Sequence, residues 1–295
     1  MRESGILMHI TSLPAPYGIG TMGKDAYAFV DFLVRAGQRY WQILPLTPTG
    51  YGDSPYQSLG ACAGNHYLID LDRLADEGLL KKEEIQNIPW GCNPARVDFG
   101  AMYAHRMNVL RLAFQRFAPD EAYETFVEQN RSWLEDYALF TALKDTLGGK
   151  PWLEWPEALR LRKADALTEK RRELSDEIRL QYFVQYEFDR QWKALRSYAN
   201  AKGVRIIGDV PIYVPLDSAD VWANPELFQL DESRHPEQVA GCPPDSFTAD
   251  GQLWGNPLYD YEAMQKDGFE WWIRRIGGAA KLYDVIRIDH FRGFE

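Results

Sequence analysis

A chain of 295 residues can bury a large core, as one barrel or as two ordinary domains. Its formal net charge of −10 argues against a nucleic-acid partner, which needs clustered Lys and Arg, and no apolar run approaches the ~20 residues of a membrane span, so no membrane partner is expected. Cys62, Cys92 and Cys242 are odd in number, widely spaced and free of any CxxC pattern, which reads as buried thiols in a reducing compartment.

The start carries Glu3 and then only a short apolar run, so no secretion signal is visible and the cytoplasm is the expected compartment. Residues 5–10 read as a short buried strand, ended by the Ser12-Leu13-Pro14 turn. Residues 25–37 are helical, with Ala26, Phe29, Val30 and Leu33 at spacings of three and four and a stop at Gly37. Residues 40–44 form a second strand, closed by Pro45. Strand, helix, strand is a βα repeat, which implies parallel pairing and a right-handed crossover. The pattern then breaks. Residues 61–175 read as an inserted, mostly helical subdomain, with helices over 102–117 and 125–146 and a charged connector over 157–179.

The βα rhythm resumes at residue 176. Leu180, Val184, Phe188, Trp192, Leu195 and Ala199 mark one face of a long helix ended at Gly203. Residues 204–210 form a third strand, and the Gly- and Pro-punctuated loop 215–259 holds too little periodicity for regular structure. A helix over 260–281, around Trp271, Trp272 and Ile276, leads into a fourth strand at 284–289. No GxGxxG follows the first strand and no GxxxxGK[ST] occurs, so a doubly wound nucleotide-binding sheet is not expected. The expected fold class is α/β, a (β/α)8 TIM barrel. Residues 1–60 hold its first βα units and 176–295 the third and fourth, so about four of eight units are present.

Such barrels place function at the C-terminal ends of their strands. Two carboxylates are expected there, Asp209 in Ile207-Gly208-Asp209-Val210-Pro211 and Asp289 in Arg287-Ile288-Asp289-His290. Either alone reads as a helix cap or turn former. Two on parallel strands, one with an arginine two residues before it, read equally as a site or as two such caps. Alternation puts Arg287 and Asp289 on one face, and a neighbouring guanidinium favours the ionised carboxylate, a nucleophile or charge stabiliser. The segment Thr49-Gly50-Tyr51-Gly52-Asp53-Ser54-Pro55-Tyr56-Gln57 admits two readings. It is a turn with Asp53 and Ser54 bonding local backbone, or a rim loop offering Tyr51 and Tyr56 as sugar platforms and Asp53 and Gln57 to hydroxyls. The long loop carries Phe247 and Trp254, and a loop of that length in a compact domain is functional or disordered. The five His are scattered without a ligand pair, so neither a metal nor a cofactor is expected.

Five motifs then occur in order: Ser12-Leu13-Pro14 with Tyr17-Gly18-Ile19-Gly20, Gly52-Asp53-Ser54-Pro55-Tyr56-Gln57, Gly208-Asp209-Val210-Pro211-Ile212-Tyr213-Val214, Leu253-Trp254-Gly255-Asn256-Pro257-Leu258-Tyr259, and Arg287-Ile288-Asp289-His290-Phe291-Arg292-Gly293. Together the chain resembles the 4-alpha-glucanotransferases called amylomaltase or disproportionating enzyme, relatives of the α-amylases. The resemblance implies a (β/α)8 barrel of α-amylase type acting on α-1,4-glucans such as maltooligosaccharides by a retaining double displacement. It implies Asp289 as nucleophile and Arg287 as its companion, with Asp209, Trp254, Asn256 and His290 in the substrate site and Tyr51, Asp53, Ser54 and Tyr56 contacting glucan. Phe247 joins Trp254 as a loop aromatic expected to favour a sugar acceptor over water. The family also supplies a Glu acid/base and a second Asp from later strands, and no residue here stands in that context. Glu295 follows Asp289 too closely to take the role. The expectation is therefore a glucanotransferase cut after its nucleophile strand and inactive alone. The alternatives are an α-amylase-like hydrolase and a non-catalytic glucan-binding fragment.

Overall fold

The computed structural model describes residues 2–93, 95–244, 246 and 248–294, with Tyr51 described by its backbone alone. Its strands are β1 (Gly5–Leu7), β2 (Tyr40–Gln42), β3 (Arg205–Val210), β4 (Val239–Cys242), β5 (Gln252–Pro257) and β6 (Val285–Ile288). β1, β2, β3 and β6 form one parallel sheet in that order. Successive strands of this sheet are neighbours, so it lacks the reversal of strand order that a doubly wound sheet requires. Register aligns Trp41 with Ile6 and Ile206, and Asp209 with Arg287.

The first helices are α1 (Lys24–Arg35), α2 (Leu71–Asp76), α3 (Lys82–Gln86), α4 (Phe99–Phe114), α5 (Glu121–Thr146), α6 (Glu157–Arg160) and α7 (Ala164–Glu173). They are followed by α8 (Ser175–Ala201), α9 (Ala219–Ala223), α10 (Tyr261–Lys266) and α11 (Glu270–Leu282). α1 buries Ala26, Val30 and Leu33, one helical stripe, into a core shared with Trp41, Ile43 and Ile206. The long α8 contributes Leu180, Val184, Phe188, Trp192, Leu195 and Ala199 to the same core, and Trp192 Nε1 donates to the Leu282 carbonyl at 3.0 Å. A second core of Phe140, Trp152, Trp155, Trp222, Tyr259 and Ile212 lies under the segments that follow β3. Asp70, Asp98, Asp120, Ser218 and Asp260 each accept a hydrogen bond from a backbone N–H three residues on, which sets five helix starts.

Several expectations are corrected. The first strand ends at Leu7, and Ile10–Ser12 is a 3-10 turn. Loop 215–259 is not devoid of regular structure: it holds α9, a 3-10 turn over Pro225–Leu227 and the antiparallel pair β4–β5. Glycines and a proline within the pair hide its alternation. The helix over 260–281 is two helices, because Gly268 at φ +73° and Phe269 at φ +64° take left-handed backbone between α10 and α11. The three cysteines are free, but Cys62 and Cys242 are half-buried and Cys92 is exposed. Among the described residues, no helix is long and apolar enough to cross a membrane.

Candidate active site

β3 and β6 lie side by side, and their C-terminal ends bring three charged side chains together. Arg287 bridges two carboxylates. Its Nη1 donates to Asp209 Oδ1 at 2.7 Å and its Nη2 to Asp289 Oδ1 at 2.5 Å. The second bond follows from the shared face of residues i and i+2 in a strand; the first follows from the register that sets Asp209 opposite Arg287. The two carboxylates differ in access. The Asp209 side chain is 3% exposed and that of Asp289 is 42% exposed. Tyr56 completes the chain of contacts, donating its hydroxyl to Asp209 Oδ2 at 2.6 Å.

Asp209 therefore has both oxygens engaged as acceptors and serves as the buried anchor of the cluster. A buried carboxylate is tolerated only with such partners. Burial, and then the bond to Asp209, push the Tyr56 phenol well above its usual range, so it remains a donor. The bond to Asp209 likewise raises the pKa of Arg287 and keeps it charged. Tyr56, Asp209 and Tyr213 line a cavity of about 340 Å³ together with Cys62, Asp220 and Arg275.

After Asp289 the chain turns at His290, whose φ of +53° is left-handed. Its ring meets Trp254 edge-on at 4.9 Å. Trp254, half-buried on β5, lies 6.3 Å from Tyr213, which stacks on Tyr259 at 5.9 Å and 16°. Asn256, two residues beyond Trp254 on the same strand, is 5% exposed. Thus β5 and the turn after β6 form an aromatic wall next to Asp289. Tyr213 belongs to it and was missed in the sequence. Its signal was its place four residues after Asp209 in a motif already singled out.

The rim loop divides between its two readings. Tyr56 reaches Asp209, whereas Ser54 Oγ accepts from the Tyr56 backbone N–H at 3.2 Å, a local turn bond. Asp53, at φ +57°, lies beside the Tyr103 hydroxyl, whose pKa is raised by burial and then by that carboxylate, and the hydroxyl donates to the Gly50 carbonyl at 3.3 Å. The Tyr51 side chain, Phe247 and Glu295 lie outside the described residues. No group of three or more His, Cys, Asp or Glu side chains among the described residues is arranged to hold a metal ion.

A partly exposed carboxylate, oriented by an arginine that is itself anchored on a buried carboxylate, can attack an electrophilic carbon or stabilise a developing cation. A family model described as 4-alpha-glucanotransferase matches residues 8–295. The chain is 52% identical to the 4-alpha-glucanotransferase of Thermus thermophilus and 51% identical to that of Streptococcus pneumoniae serotype 4, aligned over 100% of its length and 59% of theirs. Among solved structures it is similar to the amylomaltase from Streptococcus agalactiae in complex with acarbose, with a TM-score of 0.96 and 49% identity, covering 100% of this chain and 60% of that one. It shares a fold with the amylomaltase from Corynebacterium glutamicum at a TM-score of 0.76 and 18% identity, over 99% of this chain and 41% of that one. The chain spans about 59% of the length of these curated relatives.

Proposed function

The chain belongs to the 4-alpha-glucanotransferase family, and on that premise we propose that it carries the nucleophile side of a site that moves α-1,4-glucan segments between maltooligosaccharides. The observation that carries this reading is the bridge from Asp209 through Arg287 to Asp289. A retaining double displacement needs one carboxylate to attack the anomeric carbon and a second carboxyl to protonate the departing oxygen, about 5–5.5 Å apart. Asp289 is the nucleophile. Arg287 holds its Oδ1 and so orients it. A sugar 4-hydroxyl then attacks the anomeric carbon and displaces Asp289, its proton returning to the second carboxyl that protonated the departing oxygen, and a water in its place gives hydrolysis instead.

Asp209 is a poor second carboxyl, because both of its oxygens are already acceptors. We assign the proton donor to the part of the relatives' length that this chain does not span, and expect these residues alone to have little activity; losing a general acid costs typically 10²–10⁴-fold. Tyr51, Asp53, Ser54, Tyr56, Asp209, Phe247, Trp254, Asn256 and His290 are the proposed glucan-binding residues. The acarbose complex of the Streptococcus agalactiae amylomaltase supports a ligand of that shape. The one-directional parallel sheet supports the first four units of a (β/α)8 barrel; we propose residues 1–60 and 176–295 as barrel, 61–175 as inserted, 215–259 as a substrate-site loop, and the cytoplasm as the compartment.

The test is to express the protein at the full length of its own gene, incubate it with a fluorinated glucosyl donor that slows the second step, and map the labelled peptide. The label is expected on Asp289, together with redistribution of maltotriose into glucose and longer chains. A label on any other residue would sink the assignment.

A further inference from the structure

We infer that Arg275, on α11, is a positioning residue for the aromatic wall; its kinetic consequence rests on the glucan-transfer reading above, and the positioning rests on contacts alone. Arg275 is 5% exposed, and a buried guanidinium must have its donors met and its charge faced. Among the described residues no carboxylate lies within ion-pair distance of it. Instead Nη1 donates to the Ile212 carbonyl at 2.9 Å and to Tyr259 Oη at 3.1 Å, and Nη2 donates to the Pro211 carbonyl. The Trp271 and Trp272 rings stand 5.3 and 5.0 Å from the guanidinium.

Those two carbonyls are the first beyond the ladder. Pairing of β3 with β6 ends at Val210 and Ile288, so no strand is at hand to take them. Tyr259 Oη donates to the same Ile212 carbonyl at 2.7 Å. Arg275 and Tyr259 together therefore fix the path by which the chain leaves β3, and the next residue is Tyr213. Its ring is held parallel to that of Tyr259, and its hydroxyl lies so close to Gly293 that a Cβ there would sit 2.9 Å away. Tyr213 neighbours Trp254, and Trp254 neighbours His290 beside Asp289. Arg275 thus acts on the wall through two peptide oxygens and one tyrosine.

A mere structural prop acts on the fraction of protein folded, which lowers apparent kcat and Tm together and leaves KM alone. A displaced wall weakens glucan binding in the ground and transition states alike, which raises KM and spares kcat. The experiment uses the protein at the full length of its gene, with 5-fluorotryptophan placed at position 254 by codon suppression, in wild-type, Arg275→Met, Arg275→Lys and Tyr259→Phe forms. Arg275→Met is expected to shift or broaden the fluorine resonance and to raise KM for maltotriose about tenfold, with kcat within about twofold. Arg275→Lys keeps the charge but loses the fork and should fall between Arg275→Met and wild type. Tyr259→Phe, which keeps the stacked ring, should show a smaller change of the same kind and carries the test if Arg275→Met does not fold. An unchanged resonance in a folded variant overturns the positioning role, as does a fall in kcat at constant KM. Wild-type protein that fails to redistribute maltotriose, while its resonance still responds to Arg275→Met, removes the glucan reading and leaves the link between Arg275 and Trp254 standing.

Discussion

Gly208 precedes Asp209 on β3, and the ring of Tyr283 fills the space a side chain would take. A Cβ at position 208 would lie 2.1 Å from Tyr283 Cγ and 2.2 Å from both Cδ atoms, where ordinary contact begins at 3.4 Å. Something must move by roughly an ångström. Tyr283 has little room to do so, being 5% exposed, set against Trp192 at 6.5 Å and bonded through Oη to the Leu46 N–H at 3.4 Å. β3 cannot retreat either, because β2 and β6 hold it from both sides. We therefore expect Gly208→Ala to fall at the upper end of the overpacking range, about 3 kcal/mol, a large share of the roughly 5–15 kcal/mol typical of a folded domain. Urea unfolding followed by Trp fluorescence should show a lower midpoint at unchanged slope. Tyr283→Leu removes the ring, and in that background Gly208→Ala should cost at least about 1 kcal/mol less. Strict additivity of the two changes, or a single variant within about 0.5 kcal/mol of wild type, would refute the steric account.

Tyr56→Phe takes one of two donors from the buried Asp209, and should lower the unfolding free energy by about 1.5–3 kcal/mol, the usual worth of a hydrogen bond to a charged group; a change below about 0.5 kcal/mol would mean that the bond does not form in solution. Replacing Phe247 and Trp254 together with Ala should raise glucose release relative to chain redistribution from maltotriose, and an unmoved ratio would rule out a part for the loop in choosing the acceptor. Acid should destabilise the fold through His9, which burial holds at a pKa of about 4 against 6.5 in the unfolded chain. The unfolded state takes the proton first as pH falls below 6.5, so this contribution is present above 6.5 and is lost on the way to 4. The slope is about 1.4 kcal/mol per pH unit, or about 2 kcal/mol between pH 6.5 and 5. His9→Gln should shrink the difference between unfolding free energies at those two pH values by that amount, and an identical pH dependence would show that His9 is not buried neutral.

The four parallel strands were legible because each is a short apolar run closed by a turn former and set off by helical spacing. Helix starts were less so. Asp98 and Asp120 begin α4 and α5 ahead of the apolar positions, so the caps and not the stripe mark the boundaries. The hairpin escaped because Gly241, Gly255 and Pro257 remove the alternation that betrays a strand. At the site the same division holds between local and non-local order. Arg287 and Asp289 share a face by spacing alone, whereas the bond from Arg287 to Asp209 joins residues 78 apart, and that from Tyr56 joins residues 153 apart. These long-range contacts change the chemistry. Taken as a second rim carboxylate, Asp209 would compete for the role of acid; buried with both oxygens engaged, it is the post on which a planar guanidinium is aimed. A bidentate pair between Arg287 and Asp289 would engage both oxygens of the proposed nucleophile. Dividing the fork between two carboxylates engages only Oδ1 of Asp289 while still fixing the direction from which it can attack.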